Sequence, residues 1–189
     1  MSASSTGRDV PWVPAAAVGI AAYVLQYLVV YLWQANRVRD QLSGLNAVIE
    51  FLGGQAIPAW QAVGWLFYNA HFVSFTYPSF GGGRTATNLI ASGNAPQLLY
   101  VLPPLFLLVG GYLLVRSVSL ADPTDGALCG TVLSLGYAVP AWFGVFAFRI
   151  TTESNWLGPD LVTGIVLAGV VYPVVFGAIG GAVAAATSD

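Results

Sequence analysis

The chain has 189 residues, of which 57% are hydrophobic and 7% charged, with a formal net charge of −2. Soluble domains carry about 25% charged residues, so this composition excludes a protein that covers itself against water in the ordinary way. All six basic residues are arginine and they form no run, which excludes a nucleic-acid footprint or an anionic-lipid patch.

What remains is an all-α fold: a polytopic helical bundle in the membrane, forming a single domain over 1–189. The mean hydropathy of +0.73 agrees. The lone Cys129 permits no internal disulfide and no cysteine metal cluster.

The first predicted span covers about 11–33, bracketed by Trp12 and Trp33. Its 21 helical steps rise roughly 32 Å, enough for a hydrocarbon core, with tryptophans at both interfaces. It is too long for a signal-peptide core and is read as a retained anchor. The stretch that follows places Leu42, Leu45, Ile49 and Leu52 at helical spacing. It predicts a short amphipathic surface helix. Glu50 then avoids a burial cost of about 2.5–3.5 kcal/mol at a helix centre. The rival reading joins this stretch to the second span and puts Glu50 in the membrane.

The second span is predicted over about 57–77, between Pro58 and Pro78. Residues 78–97, with "GGG" at 81–83, read as a loop. The third span covers 97–115, before Arg116. The fourth covers 126–148, capped by Asp125 or Thr124, and ends before Arg149. A short turn over 151–160 leads to the fifth span, 161–186. Arg37 and Arg39 after the first span outweigh Arg8 before it, which favours an outside N-terminus.

The last two spans share a pattern, G-x-x-x-P-x-x-F-G, at Gly136–Gly144 and Gly169–Gly177. A proline clashes with the carbonyl four residues back, and in both copies that residue is glycine: Gly136 before Pro140, Gly169 before Pro173. Paired mid-span kinks with free carbonyls resemble the broken helices of transporters. Small residues at four-residue spacing favour the plainer reading, close packing of two bent helices.

Hydrolysis, group transfer and redox chemistry need clustered ionisable groups or a cofactor. With one histidine and one cysteine, neither a metal site nor an enzyme is expected, and no cofactor. The uncharged polar residues at membrane depth are Gln26, Asn69 and His71. At about 100° per residue, Asn69 and His71 point about 160° apart on one helix, so each needs its own partner. Gln26 and the carbonyls of Gly136 and Gly169 are the candidates for that role. A neutral, hydrogen-bonded histidine is the favoured reading; a pH-sensitive gate is the functional alternative.

"GWLFYNAHFV", "NLIASG", the third-span "LPP" and the terminal "LAGVVYPVVFGAIGGAVA" together resemble a family of uncharacterised multi-pass membrane proteins of halophilic archaea, sometimes labelled transporters. The absence of lysine fits such a source. The resemblance implies no site residues. The expected function is a small transporter or channel component in the cytoplasmic membrane. The alternative is a non-catalytic scaffold or accessory subunit. The expected partners are the lipid bilayer and either further copies of the chain or a membrane partner protein.

Overall fold

The computed structural model describes residues 11–52, 54–79, 81–151 and 155–188. Arg8, used above for orientation, lies outside them. Four helices are long and apolar enough to cross a membrane: Trp12–Phe51, Gln97–Val118, Pro123–Ala147 and Leu161–Ala186.

The first of these, α1 (Trp12–Phe51), is 40 residues long. The predicted surface helix is therefore not separate. It continues the first span, because no proline or glycine interrupts the chain between Gly19 and Gly44. The charges over Arg37–Asp40 solvate the helix without breaking it. Glu50 lies exposed on its last turn, and neither the surface helix nor the extended second span is formed.

The second predicted span is also corrected. α2 (Ala59–Ala70) has only 12 residues, about 18 Å, too short to cross. The chain then turns through Phe72, at φ 60°, and becomes strand β1 (Phe75–Pro78). Apart from Ser74, the residues over 72–78 are aromatic, β-branched or proline, which suit a pleated strand better than a helix. β1 forms a hairpin with β2 (Arg84–Thr87), closed by Gly82 and Gly83 in left-handed conformation.

A 3-10 turn over Gln97–Val101 leads into α3 (Leu102–Val118). The next long helix is α4 (Pro123–Thr131) followed by α5 (Leu133–Ala147). Its cap is Asp122, whose carboxylate accepts from the amides of Thr124 and Asp125, rather than either of those residues. β3 (Ile150–Thr151) and β4 (Trp156–Pro159) then complete a four-stranded antiparallel sheet in the order β2-β1-β4-β3. This sheet occupies stretches that the sequence predicts as loop, turn and span.

The last long helix starts as α6 (Leu161–Thr163), continues as a π-helical stretch over Gly164–Val171 and ends as α7 (Tyr172–Ala186). The π register lies directly before Pro173, which has no N–H to give an α-helical bond.

Glycines bring the backbones together. A Cβ on Gly136 would land on the carbonyl oxygen of Ala16 in α1, and one on Gly19 on that of Leu133 in α5. Gly130 and Gly111 meet the Gly177 carbonyl in the same way, and Gly181 meets that of Gly126. Gly136→Val is therefore expected to cost about 3 kcal/mol, since backbone cannot retreat as a side chain can. Gly44→Ala, at a helical position with nothing within 4 Å, should gain about 0.5–1 kcal/mol. Thermal unfolding in mild detergent measures both; equal effects would contradict the packing described.

Candidate functional site

α2 is a helix that stops inside the bundle. Its first turns lie where α5 ends: Gln61 Nε2 donates to the Ala147 carbonyl at 3.1 Å, and Trp65 Nε1 to that of Phe148 at 2.7 Å. Two turns later the Tyr68 hydroxyl donates to the Ala141 carbonyl. His71, at the tip, reaches Tyr137 of α5 and Tyr172 of α7. Those two tyrosines lie near the middle of Pro123–Ala147 and Leu161–Ala186. The strand after the tip returns to the starting end. β1 pairs with β4 in the connection between α5 and α6, and Asp160 N donates to the Ser74 carbonyl at 2.9 Å. The segment thus descends to mid-height and comes back, a re-entrant course.

A helix end within a protein must satisfy its last carbonyls. Tyr68 O accepts from the amides of His71 and Val73, at 2.9 and 3.1 Å, and Asn69 O from that of Phe72 at 3.0 Å. The Phe67 carbonyl lies 2.8 Å from His71 Nδ1. Asn69 serves the turn from the other side. Its Nδ2 donates to Val73 O at 2.7 Å, and its Oδ1 accepts from Leu89 N at 2.9 Å. Asn88 Nδ2 donates to the Asn69 carbonyl at 2.9 Å. Phe72 stacks on Tyr100 at 4.4 Å. Asn69 and His71 therefore face different neighbours, the 88–89 loop and the bundle interior.

His71 is wholly buried, as is Gln26 of α1. The Tyr137 hydroxyl lies between them, 2.8 Å from His71 Nε2 and 2.9 Å from the Gln26 amide. One hydroxyl carries one hydrogen, so it cannot donate both ways. The Phe67 carbonyl only accepts, so His71 Nδ1 carries a hydrogen. If Tyr137 donates to Gln26, Nε2 must also carry one and the ring is an imidazolium. If Tyr137 donates to Nε2, the ring is neutral and the Gln26 NH2 turns toward the hydroxyl.

The rings of Phe67 and Tyr172 lie 4.9 and 5.1 Å from the imidazole, and among the described residues no ionised group acts on it. A buried charge with no counter-charge is costly, so the neutral arrangement is favoured. In either arrangement one amide atom of Gln26 is buried without a partner.

The kink positions serve packing around this tip. Gly136 and Pro140 bracket Tyr137, and Pro173 follows Tyr172 directly. Gly136 admits the backbone of α1, and Gly169 admits the Trp142 indole, whose Nε1 donates to Ile165 O at 3.3 Å. Neither Gly136 nor Gly169 supplies a carbonyl to His71 or Asn69; the Phe67 carbonyl and the Tyr137 hydroxyl are the partners of His71. Tyr137 escaped sequence reasoning because a tyrosine in an apolar helix carries no motif. Its place in the first kink motif was the available signal.

At the sheet end, Arg84 and Arg149 lie 3.5 and 3.9 Å from the centre of the Trp156 ring. Two guanidinium carbons so close to one ring centre must occupy its opposite faces. Burial and the neighbouring Arg84 charge pull the Arg149 pKa below its ordinary value, and Asp160 offsets part of this. Among the described residues no group of three His, Cys, Asp or Glu is placed to hold a metal ion.

Tyr137→Phe keeps the ring and strands both His71 Nε2 and the Gln26 amide. It is expected to lower stability by about 1–3 kcal/mol, read by thermal unfolding. Tyr172→Phe, whose ring meets the imidazole in a T-shaped contact, should change it by less than about 0.5 kcal/mol. Equal effects of the two would contradict the bridging role of Tyr137.

No curated protein and no solved structure matches the chain. One family model, of unknown function, matches residues 1–188. The chain therefore belongs to the family of unknown function DUF7978.

Proposed function

We propose that this is a multi-pass protein of the cytoplasmic membrane and a small transporter or channel component. The re-entrant course of α2 is the observation that carries the reading. Non-helical backbone at membrane depth is tolerated where protein buries it or where it lines a pathway. Here a half-crossing helix delivers an uncharged polar tip to mid-height, between the two proline-bearing crossings. Transporters build binding sites from interrupted helices of this kind.

The distribution of polarity supports placement in a bilayer. Leu25, Leu28, Leu32 and Leu113 face outward on the crossing helices, with Phe143 and Ile179, while Gln26, Gln34, Asn69 and His71 are buried. That is the reverse of a soluble bundle, in which exposed apolar area is scattered. The absence of lysine fits the salt-adapted source that the resemblance suggests.

A second reading, a scaffold or accessory subunit, draws on the glycine contacts. Backbones packed this closely favour a fixed bundle over a wide pore. It predicts that the protein purifies with a membrane partner and adds nothing to membrane permeability.

Purified protein reconstituted into liposomes separates the two. Transport predicts passage of at least one small ion or solute faster than through empty liposomes, and slower again for His71→Phe. Fluxes at the empty-liposome level for every solute and ion tried would sink the transport reading.

A further inference from the structure

The arginines form no run along the chain, yet folding sets two of them on one indole, so the absence of a run does not carry over to the surface. Arg84 and Arg149 stack on opposite faces of Trp156, which holds their guanidinium carbons about 7 Å apart, the sum of the two ring distances. Like charges at that separation repel. Stacking keeps them there but offers no acceptor to their N–H groups, which lie in the plane of each guanidinium.

Protein acceptors meet little of this demand. Arg84 Nη2 donates to the Trp156 carbonyl at 2.8 Å, which fixes its place. Arg149 Nε and one Nη are buried with no acceptor. The carboxylate that acts on Arg149 is that of Asp160, whose Oδ1 already accepts from the Thr163 amide and hydroxyl. Arg84, Arg149 and Asp160 together keep one net positive charge. Buried donors without partners are rare in folded chains, and two on one guanidinium call for a reason.

The pair stands where a ligand can reach it. It lies at the sheet end, beside the last residues of α5 and the first of α6. In the bilayer proposed above, that is the headgroup level. Arg84 is exposed, and Gly81, Gly82 and Gly83 before it carry no side chains to screen it. Arg149 is covered by two rings, Trp156 at 3.9 Å and Phe146 at 5.8 Å. Phe146 is 55% exposed, so that part of the cover can swing aside.

We propose that Arg84 and Arg149 form a binding site for a phosphate group, carried by an anionic lipid headgroup or free in solution. Guanidinium forks match phosphate oxygens, and a tetrahedral oxyanion accepts from two forks on different sides, where a planar carboxylate fits one. The phosphate settles at the edge of the indole, accepts from Arg84 and, once the Phe146 ring moves, from the unpaired donors of Arg149. Its negative charge offsets the repulsion between the two arginines. The lipid form of the inference rests on placement in a bilayer; neither form rests on transport.

Two series with the full chain test this, each followed by unfolding temperature. In neutral detergent, inorganic phosphate is titrated at constant ionic strength, with chloride as the control. In vesicles of phosphatidylcholine, phosphatidylglycerol is added in increasing proportion. The expected result is a rise in unfolding temperature in at least one series. Arg84→Gln, at an exposed position, should raise the phosphate or lipid concentration needed for half the rise by about tenfold, the loss of one charge-assisted pair. Arg149→Lys, which keeps the charge and gives up the fork, should weaken binding as well. Arg116→Gln, beside Thr187 at the far end of the last helix, should leave it unchanged.

A rise with phosphatidylglycerol alone assigns the site to lipid headgroups. A rise with inorganic phosphate, alone or with the lipid, assigns it to the phosphate group itself. No rise in either series would overturn the site. So would an equal rise with chloride, or one that Arg84→Gln and Arg149→Lys both leave intact. None of these results bears on solute flux, so the transport reading stands or falls separately.

Discussion

A helix that ends inside an apolar bundle must find partners there for its last carbonyls, and α2 meets that demand at mid-height. Unpaired, each such group would cost about 1–3 kcal/mol, more than most single contacts return. The solution divides the work between two side chains. Asn69 fastens the turn to the 88–89 loop. His71 takes up the Phe67 carbonyl and, through Tyr137, reaches Gln26 of α1. Three elements distant in sequence are thereby tied at one height. The position of β1, and with it the sheet at the end of the bundle, follows from where the chain leaves that turn.

The glycine contacts make this geometry attainable. Gly19 and Gly136 let α1 and α5 touch along their backbones, which sets Gln26 within reach of Tyr137. Gly169 admits the Trp142 indole beside the π-helical stretch, so the break at Pro173 is filled by a neighbour. The prolines and glycines of the two motifs thus shape the walls around the α2 tip. The polar chemistry comes from the tyrosines beside them.

Much of this was legible in the sequence. The apolar runs at 97–115, 126–148 and 161–186 fall on helices long enough to cross, because length and hydropathy are direct physical requirements. The candidate residues Gln26 and His71 meet through one hydroxyl. The second span failed for an identifiable reason. Hydropathy measures how greasy a stretch is, and "FVSFTYP" is as greasy as a helix while its branched and aromatic residues suit a strand. The first helix runs past Trp33, which the sequence offers as its interface end, because a helix continues into water as readily as it stops. The partner of His71 was not legible, since a contact across 66 positions leaves no local trace.

The central claim is that residues 59–78 enter the bundle and return to the same end. Spin labels placed singly along 69–79 in bilayer-embedded protein, on a Cys129→Ser background, report depth through their relative accessibility to oxygen and to a polar relaxant. The account predicts depth greatest near position 71, with positions 75–79 climbing back toward the interface shared with Ala59. A depth that keeps changing in one direction, so that position 79 reaches the opposite interface, would contradict it.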